Sequence, residues 1–118
     1  MAGFTTAFSQ TTLEAAIVNG DVIRYSENGS SASTHVAATS IAAWDTATSA
    51  DPSVRQNTAA VDSAACDADS ITLTHYSVWN STSTTQKTDW TAFTGGSETL
   101  NTGDKVSWAA GACDVTLT

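Results

Sequence analysis

Residues 71–80 read ITLTHYSVWN, and the fold turns on them. Most of these residues are β-branched or aromatic, the types that fit a pleated, half-buried surface. Side chains of a strand point alternately to its two faces. Ile71, Leu73, His75, Ser77 and Trp79 therefore share one face, and Thr72, Thr74, Tyr76 and Val78 the other. Both faces carry apolar groups, as expected of a central strand packed on one side and partly covered on the other. The stretch also poses the functional question. His75 sits among aromatic neighbours, either as the centre of a site or as part of the packing.

Working outward, the segments on either side are turns and loops. CDADS (66–70) is an acidic turn, and the Ser/Thr run at 81–85 is a loop. Beyond them lie more short strands. DVIRYS (21–26) ends in a Glu-Asn-Gly-Ser turn. HVAATSIAAWDTAT (35–48) carries Val36, Ile41 and Trp44, and the following Ser-Ala-Asp-Pro-Ser loop is marked by Pro52. VRQNTAAVDSAA (54–65) reads as a strand through Val54 and Val61. TDWTAFTG (88–95) places Trp90 near Phe93. The last segment, 97–118, reads as two or three strands with a turn at Asn101-Thr-Gly-Asp and a bend at Gly111. One helix is predicted near the N-terminus, over about 11–18. There Thr11 and Glu14 match a capping box, and Asn19-Gly20 supplies the stop. The expected fold is all-β, a compact antiparallel β-sandwich of jelly-roll type with one short N-terminal helix. The 118 residues suit a single domain, 1–118.

Composition excludes several functions. Ala, Ser and Thr make up roughly half the chain, well above ordinary usage, so the core is thin and layered. Four basic residues (Arg24, Arg55, Lys87 and Lys105) face 12 acids, for a net charge of -8. A nucleic-acid binder needs a basic stripe that displaces counterions from phosphates, and an anionic membrane would repel this chain. No apolar run approaches the length of a membrane span. The N-terminal stretch lacks the basic and uninterrupted apolar regions of a signal peptide. Together with Met1, this leads us to expect an unprocessed chain made in a cytoplasm.

The residues that could carry chemistry have bland alternatives. A catalytic His75 would need a nucleophile, an orienting carboxylate or a metal. Ser77 shares its face, but no nucleophile elbow surrounds it, and the spacing favours a structural histidine over a ligand. Asp62, Asp67 and Asp69 flank one turn and are weak candidates for calcium or magnesium. The pattern is not an EF-hand, and a solvated acidic turn is the simpler reading. With His35 and His75 isolated, no zinc set forms. Cys66 and Cys113, each in an Ala-Cys-Asp triplet, read as buried thiols, with a disulfide formed after release into an oxidising medium as the alternative. Trp44, Trp79, Trp90 and Trp108, with Tyr76, read as core or interface anchors. Sugar stacking by tryptophan is the alternative. The expectation is therefore a protein that is not an enzyme and has no cofactor.

Two stretches taken together resemble a known family. ITLTHYSVWNS (71–81) resembles a strand in small virion proteins of tailed bacteriophages, with its Thr-His-aromatic-Gly-aliphatic-Trp-acid pattern. LNTGDKVSWAAGACDVTL (100–117) resembles the end of the same proteins. The upstream order of short helix, strand, polar loop and Trp-bearing strand (IAAWDTAT, 41–48) also fits. This chain departs from the pattern in having Ser77 for Gly, Asn80 for the acid, and the unexpected Trp108 and Cys113. The resemblance implies a β-sandwich structural protein of the virion. The acidic, lysine-poor composition favours a capsid decoration or cement protein on the outer surface of the head. Its partners would be the major capsid protein and copies of itself, with multivalency supplying the affinity. The alternative is a tail-associated or fibre protein that binds carbohydrate on the host surface.

Overall fold

The computed structural model describes residues 4–50 and 52–117. Met1, Asp51 in the predicted loop and Thr118 at the end of the predicted last strand lie outside them.

The chain forms one helix and ten short strands among the described residues: α1 (Thr6–Ala16), β1 (Val22–Ser26), β2 (Thr39–Ser40), β3 (Ser53–Gln56), β4 (Val61–Asp62), β5 (Ile71–Leu73), β6 (His75–Trp79), β7 (Thr91–Ala92), β8 (Glu98–Leu100), β9 (Ser107–Trp108) and β10 (Asp114–Leu117). All pairings are antiparallel. One sheet has the order β2-β1-β6-β7, and the other strands form the pairs β3–β10, β4–β9 and β5–β8. The pairing is nested. From β3 to β6 the chain runs out along one side of a ribbon, and from β7 to β10 it returns along the other. A nested ribbon needs only short strands, because each step is paired with the chain directly opposite.

The helix begins earlier than the sequence suggests. Thr5 is the N-cap, its hydroxyl accepting from the Phe8 N–H at 3.2 Å. Thr11 lies inside the helix, with its hydroxyl donating back to the Ala7 carbonyl at 3.0 Å. Glu14 accepts instead from the Ala47 N–H at 3.1 Å. The predicted capping pair is thus drawn apart, Thr11 by a bond within the helix and Glu14 by a tertiary one. Ser9, Leu13 and Ile17, spaced four apart, form the buried stripe. The helix ends at Ala16, with Ile17 as an extended C-cap, short of the predicted stop at Asn19-Gly20; Gly20, with φ +92°, sits in the turn that follows, a conformation that glycine adopts at no steric cost.

Two cations finish the helix. The Arg55 guanidinium donates through Nη1 to the Glu14 carbonyl at 2.9 Å and to the Ile17 carbonyl, and through Nε to the Asp45 carbonyl at 2.8 Å. Lys87 donates to the Ala16 carbonyl at 2.8 Å and to Asp21 Oδ2 at 2.7 Å. The final carbonyls of a helix lack intrahelical partners and carry its negative pole, so cations belong there. Asp21 is buried and also accepts from the Val18 N–H.

The 71–80 stretch is two strands, not one. It breaks at Thr74, whose N–H donates to the Ser26 carbonyl at 2.8 Å and whose carbonyl accepts from Phe93. The break shifts the inward phase by one residue. Ile71 and Leu73 face the core before it, and Tyr76 and Val78 after it. The predicted single alternating face is corrected accordingly, and His75, Ser77 and Trp79 lie on the opposite side. Opposite β6, the core pairs are Ile23↔Val78 and Tyr25↔Tyr76, while Val22↔Trp79, Arg24↔Ser77 and Ser26↔His75 share the other face. Two further predicted strands shorten. Segment 35–48 keeps only β2 and a bridge at Trp44, and 54–65 is interrupted between β3 and β4.

Replacing Arg55 by methionine keeps its aliphatic stem but strands three carbonyls. It is expected to lower stability by about 1.5–3 kcal/mol, the range for hydrogen bonds to charged groups. Lysine should restore only part of the loss because it lacks the planar fork. Urea unfolding of the two variants checks both statements.

Candidate binding surface

Four aromatic rings meet at the centre of the molecule. Tyr25 and Phe93 stack at 6.4 Å, Tyr76 and Phe93 lie 5.5 Å apart, Phe93 and Trp108 6.0 Å, and Tyr76 meets Trp108 edge-on at 5.0 Å. Offset and edge-to-face contacts of this kind add to simple area burial. Tyr25 is 1% exposed, so its hydroxyl needs partners. It lies 2.6 Å from Thr39 Oγ1 and accepts from Trp108 Nε1 at 2.9 Å. Burial pushes the Tyr25 phenol above its ordinary value despite these bonds. The Tyr76 phenol is raised as well, first by burial and then by its neighbours Cys113 and Asp114.

Of the residues singled out from sequence, Tyr76 and Trp108 belong to this cluster. Trp79 and Trp90 form a second pair, 6.2 Å apart, outside the main core. Arg24 lies 4.6 Å from the Trp79 ring centre as a cation–π partner. The Trp79 indole donates to Ser77 Oγ at 2.6 Å. Trp90 and Phe93, neighbours in the sequence, therefore part company. Trp44 stands apart from both groups, 5% exposed, and its indole N–H has no hydrogen-bond partner.

His75 is held by packing and by one local bond. Its Nδ1 lies 2.7 Å from Thr74 Oγ1. The imidazole lies against Gly29, where a Cβ would come within 2.9 Å of Cε1. Gly29 has φ +75°, so both backbone conformation and space demand glycine there. The other histidine, His35, meets Asp67 through Nδ1 at 2.7 Å, with both side chains substantially exposed.

The three acids proposed as weak cation ligands do not converge. Asp67 is engaged with His35. Asp69 Oδ1 accepts from the Thr102 N–H at 3.0 Å, and this bond, with help from the Thr102 hydroxyl, holds its carboxyl below the usual range. Asp62 pairs with Ser107 in the β4–β9 ladder. No group of three or more His, Cys, Asp or Glu side chains that could hold a metal ion occurs among the described residues. Cys66 and Cys113 are both buried free thiols. Burial, and next the Asp114 carboxylate, pushes the Cys113 thiol up to about 12. Thiolate is the reactive form, so this cysteine is a packing residue.

A pocket of about 310 Å³ opens over the aromatic cluster, with Phe93, Leu100, Val106 and Trp108 as its apolar lining and Glu98 and Lys105 on its polar side. A second, of about 270 Å³, lies between Tyr76 and Val78 of β6 and the Asp114–Thr116 edge of β10. The apolar lining of the first comes from β8, β9 and the 93–98 turn. Sequence reading missed it because its residues are scattered over 93–108 and join only when β5–β8 and β4–β9 pair. Among the described residues, the exposed large hydrophobic side chains, Phe4, Phe8 and Val18, all lie on or beside α1. No helix among the described residues is long and apolar enough to cross a membrane.

No protein-family model, curated protein or solved structure matches the chain.

Two measurements probe this arrangement. Trp108→Phe and Trp44→Phe remove similar volume, but only the first strips a hydrogen bond from a buried phenol. Trp108→Phe should therefore be the more destabilising by about 1–3 kcal/mol in urea titrations, the cost of an unsatisfied buried group. The second concerns alkaline pH. The folded thiol of Cys113 titrates near 12 against an ordinary 9.0. Its contribution is complete below pH 9 and is lost as pH rises towards 12, because the unfolded chain releases its proton first. Under reducing conditions the urea midpoint should fall between pH 9 and 11. Cys113→Ala should flatten part of that fall, and the raised tyrosines should retain the rest.

Proposed function

We propose that this chain is a structural protein of a tailed-bacteriophage virion, a decoration or cement protein that binds the outside of the head and stabilises the shell. The observation that carries this reading is the distribution of charge. Of the four cations, Arg24 lies on Trp79, Arg55 is spent on backbone carbonyls and Lys87 on the helix end and Asp21. Of the twelve acids, Asp21 is buried against Lys87, and the others have few cations to offset them. A surface of this kind stays soluble and repels nucleic acid. Its exposed aromatic groups, Phe8 on and Phe4 just before a helix that bears one acid, Glu14, favour contact with protein.

The resemblance of residues 71–81 and 100–117 to small virion proteins supports the same reading. So does the role of His75, which packs on a glycine turn. The finer architecture we propose is a jelly-roll sandwich. A ribbon of nested antiparallel pairs, β3–β10 through β6–β7, is the connectivity from which a jelly roll is wound, with β1 and β2 extending the sheet beyond β6. The partners would be the major capsid protein and further copies of this chain, with modest contacts multiplied by symmetry.

A second reading, a tail or fibre protein that binds host carbohydrate, is favoured by the half-buried pair Trp79 and Trp90 on the outer side of β6. Counting copies in purified particles separates the two. A decoration protein is expected in large multiples set by the shell's symmetry and at the head surface. A handful of copies at the tail, with glycan binding lost on Trp90→Ala, would establish the second reading in its place.

A further inference from the structure

We infer that copies of this chain join head to tail, with the Phe4–Phe8 pair of one copy seated in the 310 Å³ pocket of the next. The inference rests on the homo-oligomeric part of the function proposed above.

The knob comes first. Phe4 and Phe8 are 57% and 54% exposed, and their rings meet edge-on at 5.0 Å. Their mutual contact joins the residue before the N-cap Thr5 to the third residue of the helix. It does not account for two benzyl groups left more than half in water. The socket lies elsewhere on the chain, lined by Phe93, Leu100, Val106 and Trp108, and neither Phe4 nor Phe8 lines it. A cavity of about 150 Å³ admits a benzene ring, so this one has room for two.

Charge selects the occupant. Two copies of a chain with net charge -8 repel one another over most of their surfaces. The exposed helix stripe of Phe4, Phe8, Thr11, Ala15 and Val18 carries no charge, and Glu14 is turned to the Ala47 N–H. At the socket, Lys105 offsets Glu98, and neither takes part in an ion pair among the described residues. The neutral knob and the locally balanced socket are thus where like-charged copies can approach. Because the two surfaces differ, the contact is heterologous and builds a ring or an open chain.

The test uses the purified full-length chain, with mass measured by light scattering at increasing concentration. Wild type should assemble. Phe8→Asp removes the knob while placing an acid where a helix N-terminus favours one, and Ser107→Trp blocks the socket from an exposed position. Each alone should fall to the 12.1 kDa monomer with an unchanged circular dichroism spectrum. Mixed one to one they should form a heterodimer, because one supplies an intact socket and the other an intact knob. Should Phe8→Asp misfold, Phe4→Asp takes its place. Assembly lost with Phe8→Asp but kept with Ser107→Trp would overturn the inference in favour of helix-to-helix pairing. Wild type that stays monomeric at its solubility limit, yet still coats heads, would overturn the contact and leave the decoration reading standing.

Discussion

Burying the hydroxyl of Tyr25 is the constraint on which the rest of the interior depends. A phenol at the centre of a small core costs stability unless its oxygen is bonded. Here the bonds come from Thr39 beside β1 in the sheet and from Trp108 on β9, a strand paired elsewhere. Satisfying one oxygen therefore fixes the approach of the β4–β9 pair to the four-stranded sheet. Phe93 and Tyr76 then fill the space around the ring, and the floor of the large pocket is the outer side of that packing. A chain rich in alanine, serine and threonine has few bulky side chains with which to set such distances. The aromatic cluster supplies them.

The same economy governs charge. In many small domains lysine and arginine are spread over the surface as a solvated counterweight to acids. Here three of the four are committed: one to an indole face and two to the end of the single described helix. The helix has little intrinsic stability, with threonines through its first turns. It is held by its Ser9–Leu13–Ile17 stripe and by these two cations. The acidity of the molecule is set by composition, 12 acids against four cations, and the committed cations leave few free to pair with those acids.

Much of the fold was legible. The antiparallel strand character, the turn at Gly20, the turn at Asn101–Asp104 and the bend at Gly111 follow from turn chemistry, which acts locally and shows in a few residues. The strand boundaries were less legible. Nothing in ITLTHYSVWN announces a break at Thr74, because the break is imposed by Ser26 and Phe93 from other parts of the chain. The helix start was misplaced for a similar reason. Thr11 and Glu14 match a capping box, yet each has a better partner in the folded chain. Of the candidate residues, Tyr76 and Trp108 were recognised as anchors, while their companions Tyr25 and Phe93 were not, since each stands alone in its own segment.

Composition and local pattern by themselves determined the class of the molecule: strands between turns, an acidic exterior, a thin core and no basic stripe for nucleic acid. These are sums over residues or effects within a few positions, and they survive ignorance of the fold. Tertiary structure alone decided which tryptophans are central and which lie at the edge, that His75 rests on Gly29, that the acids at 62, 67 and 69 separate, and that a pocket opens beside Trp108. Each of these depends on pairing between segments tens of residues apart. Such pairing is selected by the satisfaction of buried polar atoms and the filling of space, quantities that a one-dimensional pattern does not contain.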